Sequence, residues 1–138
     1  MVEAVTGDII PLIDMKARFD HMGKHDWDSG GTTLVSAQWP LGTYGVKATY
    51  GSFSLSTLLS RNQPAILAMH DPNIGEYHAV FLRSTSYKRF LFFKYSRKFY
   101  VRDPIDFGAI STRTYSQMSH GETAGYGFRY RGQALVKR

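Results

Sequence analysis

Apolar residues follow two rhythms along this chain. Within residues 9–22, Ile9, Leu12, Ile13, Phe19 and Met22 recur at three- and four-residue spacing, which predicts a helix with one buried face. Pro11 fits the first helical turn, where its missing N–H costs nothing, Thr6 or Asp8 fits the cap, and Gly23 fits the stop. Residues 24–31, KHDWDSGG, are polar and turn-rich and read as a loop. Residues 32–39 and 45–50 are rich in β-branched or aromatic side chains around Pro40, Gly42 and Gly45, which leaves short strands or irregular segments open. Ser54 then caps a short helix that stops at Asn62-Gln63-Pro64.

Beyond Pro64 the rhythm becomes that of strands. Residues 65–69, 78–83, 90–95 and 98–101 are compact apolar or alternating runs, and Asp71-Pro72-Asn73, Gly75 and Asp103-Pro104 punctuate them. Residues 111–118 read as a short helix or turn. A Gly- and Tyr-rich run follows and closes on Gly127-Phe128-Arg129-Tyr130. With helix first and sheet afterwards, the expected class is α+β, an N-terminal helix packed on an antiparallel sheet, in a single domain over residues 1–138.

Composition narrows the chemistry. The chain has 138 residues, 43% of them hydrophobic, enough for one core. It contains no cysteine, which removes disulfides, thiolate metal sites and thiol nucleophiles together and leaves the compartment open. No apolar run reaches the roughly 18 residues of a membrane-spanning helix, and the start MVEAVTGDII lacks the pattern of an export signal, so a soluble domain is expected. The formal charge of +6 points to an acidic partner such as nucleic acid, an anionic membrane face or an acidic protein. The charge concentrates at Arg83, Lys88, Arg89, Lys94, Arg97, Lys98 and Arg102, with no Asp or Glu among them. These are the candidate binding residues, set against a plain solvated strand face.

Two residues stand where catalysis would want them. His78 opens an apolar strand and Asp103 follows another, and a histidine held by a carboxylate is the base-and-orienter half of a nucleophilic triad. Their separation exceeds what a tight hairpin needs. A turn at residues 84–88 would pair His78 near Tyr95, so contact with Asp103 requires a long hairpin turning near residues 89–91, a bulge or an extra strand.

The order of Ser54-Phe-Ser-Leu with its Pro64 strand, Gly75-Glu-Tyr-His78-Ala-Val-Phe-Leu, and Phe99-Tyr-Val-Arg-Asp103-Pro104 resembles the papain-like cysteine peptidase clan, especially the C39-type bacteriocin-processing and effector-type families. The resemblance covers residues 54–108. It implies a papain-like α+β fold, His78 as general base and Asp103 as its orienter. The family's cysteine would stand at the head of the 9–22 helix, near residues 4–8, where this chain has Ala4, Val5, Thr6, Gly7 and Asp8. The family's oxyanion-hole glutamine has no match either. The expectation is a catalytically degenerate domain that recognises a protein or extended peptide, of the kind found in bacterial effectors or toxins. A fragment whose cysteine-bearing segment is missing is the alternative on the same resemblance.

From another class comes a small basic metal-independent ribonuclease or toxin domain, with His70, His78, His120, Arg113 and the tyrosines as candidates. The aromatics and cations of residues 87–100 would then stack bases and hold phosphates. His21, His25, Asp26 and Asp28 could crowd a metal, but Gly23 interrupts the helix between the two histidines, and neither metal nor cofactor is expected. Ser84-Thr85-Ser86 has the form of an ADP-ribosyltransferase strand, without the paired glutamates that chemistry needs, since Glu122 stands alone. Gly121, Gly125 and Gly127 do not form a phosphate loop.

Overall fold

In a computed structural model, residues 1–7, 14, 17, 34–103, 109–121 and 127–138 are described. Six strands form one antiparallel sheet: β1 (Ala48–Ser52), β2 (Ala65–Asp71), β3 (Glu76–Phe90), β4 (Phe93–Arg102), β5 (Ile110–Thr114) and β6 (Arg129–Lys137). Their spatial order is β1-β6-β2-β3-β4-β5. Strands β2 to β5 are a meander of successive neighbours, and β6 enters between β1 and β2. Among the described residues the delimited helices are short: α1 (Val2–Thr6), α2 (Leu34–Thr43), α3 (Leu55–Arg61) and α4 (Tyr115–His120).

This architecture overturns the expected papain-like α+β class. The described chain is chiefly a six-stranded antiparallel sheet with short helices, not a papain-like α+β fold. Of the 9–22 helix, only Asp14 and Ala17 fall among the described residues; both have helical backbone and are exposed. Residues 4–6 belong to α1, a separate turn of helix that Gly7 closes in the left-handed conformation. Thr6 is at its end, donating its hydroxyl to the Val2 carbonyl.

The strand option for residues 32–39 is also corrected. Leu34, Gln38 and Leu41, spaced by four and three, place half-buried, half-buried and buried positions on one side of α2. Gln38 Oε1 accepts from the Tyr50 N–H of β1 at 3.4 Å. By contrast α3 follows its signals closely. Ser54 accepts from the Thr57 N–H as N-cap, and Asn62 ends the helix with φ 47°.

Each face of the sheet carries its own core. The larger gathers Leu55, Leu58 and Leu59 of α3, Met118 of α4, and Leu67, Met69, Val80, Leu82, Phe99, Val101, Ala134 and Val136 of the strands. On the opposite face Val2, Leu41, Val46 and Leu135 join α1 and α2 to the sheet. Strand β2 alternates strictly, with residues 65, 67, 69 and 71 buried toward the larger core. Thr85 clamps α3 to β3, its hydroxyl donating to the Leu59 carbonyl at 2.8 Å and its N–H to Asn62 Oδ1 at 2.7 Å. Ser86 meets the Tyr100 hydroxyl, so Thr85 and Ser86 both serve the packing of β3 against its neighbours.

Strands β3 and β4 form one long hairpin. The register shifts between residues 82 and 84 and again between 86 and 88, and the chain reverses through Leu91 and Phe92. Strand β2 reaches β3 only as far as Leu82, and β5 reaches β4 only from Lys98 onward. Residues 88–95 therefore pair only with each other and extend beyond the sheet as a two-stranded arm.

Candidate functional site

The long hairpin solves the spacing problem of His78 and Asp103. Met69 of β2 lies opposite His78, and Val101 lies opposite Leu82, so Val80, His78, Val101 and Asp103 all face the larger core. Asp103 comes one residue past β4, where the alternation of Phe99 and Val101 carries it inward. His78 Nε2 and Asp103 Oδ1 are 2.5 Å apart.

A carboxylate only accepts, so Nε2–H donates to Asp103, and Nδ1 is the ring nitrogen left for other chemistry. Asp103 is fully buried, whereas the His78 side chain is 18% exposed, so the pair is anchored inside and reaches solvent through the ring. Behind it, Arg113 Nη2 lies 3.9 Å from Asp103 Oδ2, and its side chain is only 5% exposed. Strand β5 places this guanidinium, with Arg113 opposite Phe99. The buried carboxylate thus lies between an imidazole and a cation, which offsets part of the cost of removing it from water.

A second stretch roofs the site. The Phe128 ring lies 5.1 Å from the imidazole, centroid to centroid. Beside it, Gly127 packs so closely on Asp71 that an added Cβ would lie 2.3 Å from Asp71 Oδ2. Asp71 is buried on the same face as Met69 and accepts from the Asn73 N–H at 2.9 Å, fixing the turn that leads into β3. Gly127 and Phe128 thus tie together the acidic turn and the imidazole. Sequence reading missed Asp71 and this roof. A glycine beside an aromatic was the available signal, but a close backbone approach leaves no periodic trace.

The remaining candidates are scattered. Arg83 and Arg102 line a recess of about 750 Å³ on the opposite sheet face, with Met1, Glu3, Ala4, Pro64, Phe81 and Ser84. Lys94 bonds the Ser60 hydroxyl and lies over the Tyr87 ring, and Arg97 stacks over Tyr115 at 3.9 Å. Lys88, Arg89 and Lys98 are exposed along the arm and its root. The seven cations therefore occupy more than one surface. His70 points away from His78, stacked on Tyr77 at 4.5 Å, and His120 is exposed at the end of α4. His21, His25, Asp26, Asp28, Glu122 and Gly125 lie outside the described residues. Among the described residues no group of three or more His, Asp or Glu could hold a metal ion, and no helix is long and apolar enough to cross a membrane.

No family model matches the chain, and no curated protein matches it.

Proposed function

We propose that His78 and Asp103 form an acid–base site in which the Nδ1 of His78 takes a proton from a hydroxyl or water nucleophile. The observation that carries this reading is the 2.5 Å bond from a partly exposed imidazole to a fully buried carboxylate. The bond fixes the ring's orientation and tautomer, the task of an orienting acid in a nucleophilic triad. It also supports the imidazolium that forms when the proton arrives. Because the chain has no thiol, the group activated is an oxygen. RNA would bring its own nucleophile, the 2′-hydroxyl, and needs only a base and an acid from the protein.

The test is cleavage of single-stranded RNA and of activated esters by the wild type, His78→Gln and Asp103→Asn. His78→Gln removes the base, and Asp103→Asn disturbs the tautomer. Each is expected to lower kcat by about 10²-fold or more. Turnover that survives His78→Gln overturns the reading.

A second reading takes the same pair as idle chemistry in a domain that binds a protein or extended peptide. The Tyr77 ring favours it, being 63% exposed at the same end of β3 and held between His70 and Arg131. Here a peptide-library selection yields ligands whose binding falls on Tyr77→Ala while no substrate is turned over.

A further inference from the structure

The hairpin arm ends in an apolar apex. Phe90, Leu91, Phe92 and Phe93 are 67%, 71%, 95% and 71% exposed, four consecutive large apolar side chains at a chain reversal. Leu91 holds φ at 52°, a left-handed conformation that glycine or asparagine adopts far more readily. The apex thus keeps a bulky side chain at a position whose backbone favours a small one. Strain of this kind gathers where function requires it.

Cations follow directly behind. Phe90 pairs with Phe93, Arg89 with Lys94 and Lys88 with Tyr95, so the first cationic pair lies one step behind the last aromatic pair, about 3.3 Å along the arm. Arg97 and Lys98 lie further back, and no acidic residue occurs between Arg83 and Arg102. A nucleic-acid stacking platform would set aromatics at alternate positions on one strand face, with cations beside them. Here the apolar residues are contiguous, so they project from both faces of the ribbon, and the cations are layered by depth.

We propose that this arm docks on an anionic lipid bilayer, with Leu91, Phe92 and the flanking rings entering the headgroup–acyl boundary and the exposed Arg89 and Lys88 meeting lipid phosphates and carboxylates. The depth matches. Interfacial elements bury their apolar part by about 5–10 Å, and the apex plus its closing pair spans about two residue rises. Charge complementarity selects the anionic surface, and aromatic rings suit the interface. The arm stands apart from His78, roughly 40 Å along β3 at strand rise, so this inference does not depend on the acid–base reading.

The experiment is co-flotation of the full chain with vesicles of phosphatidylcholine alone or with about a quarter phosphatidylserine. Strong retention on the anionic vesicles is expected. The variant Leu91→Ser/Phe92→Ser should lower the partition coefficient about tenfold or more. The variant Lys88→Glu/Arg89→Glu should abolish the preference for phosphatidylserine. Far-UV circular dichroism and the thermal midpoint should match wild type in both, because the altered side chains are exposed. No retention on anionic vesicles overturns the proposal, as does retention that the apex variant leaves intact. Apex-dependent binding of an RNA oligonucleotide, or apex-dependent dimerisation, without vesicle binding also overturns it and identifies the occupant instead.

Discussion

The two ends of the β3–β4 hairpin reverse the usual distribution of side chains. At its base a carboxylate, a guanidinium and part of an imidazole are taken out of water, and each polar group is held by a neighbour. At its tip four large apolar side chains face solvent. Both arrangements oppose simple burial, but they differ in what supports them. The base is embedded in the larger core and roofed by Phe128, so its polar groups are costly to disturb. Among the described residues the arm is supported chiefly by its own ladder and by the contacts of Lys94 with Ser60 and Tyr87. Features at the base therefore serve the fold and the site together, whereas features at the tip can change freely and must be explained by what they touch.

The sharpest way to break this contrast is to remove the buried carboxylate. Asp103→Ala removes the buried anion that accepts from His78 and lies beside the buried Arg113 guanidinium, and should cost about 3–5 kcal/mol, read as a lower urea midpoint. A variant as stable as wild type would show that the pair is not electrostatically coupled to the fold. Next comes Gly127→Ala. Its Cβ must displace Asp71 or the 127–128 segment, at about 1–3 kcal/mol, and it should shift the NMR resonances of His78 through the moved Phe128 ring.

Tyr130→Phe is expected to cost about 1 kcal/mol near neutral pH, since it loses the 2.7 Å bond to the Phe53 carbonyl. Burial raises the Tyr130 pKa, so the folded state holds the phenolic proton more tightly than the unfolded chain. The stability linked to that proton is complete below the unfolded value of about 10 and is lost as pH rises beyond it. The wild type should therefore weaken above about pH 10 more steeply than Tyr130→Phe, and the two unfolding curves should converge. The smallest effect belongs to the tip. Phe92→Ser should move stability by no more than about 0.5 kcal/mol, which sharpens the contrast if it also weakens vesicle binding.

What the sequence disclosed depended on how local each signal was. Ser54 and Asn62 mark α3 correctly because caps act within one turn. His78 and Asp103 were legible as two residues that folding could bring together, and a long hairpin was among the routes that could join them. Residues 89–91, named for its turn, fall just before and within the reversal at Leu91 and Phe92. Strand β6 went unread because Ala134, Leu135 and Val136 are consecutive and all buried, with Leu135 in one core and its neighbours in the other. A strand covered on both faces loses the period-two pattern. Gly132, at φ 91°, breaks its rhythm further. The N-terminal helix pattern invited a helix-on-sheet fold, but sheet order depends on distant pairings that residue spacing does not encode.

The insertion of β6 between β1 and β2 also bears on the order of assembly. Strands β2 to β5 can zip from adjacent hairpins as soon as they are synthesised, but β1 has no partner in that meander. It must wait for a segment that begins at Arg129, more than half the chain away. Cleavage in the bulge at Gly132 would therefore do more than trim an edge. It would unseat the strand that holds the first part of the chain to the rest, as removing a keystone does to an arch.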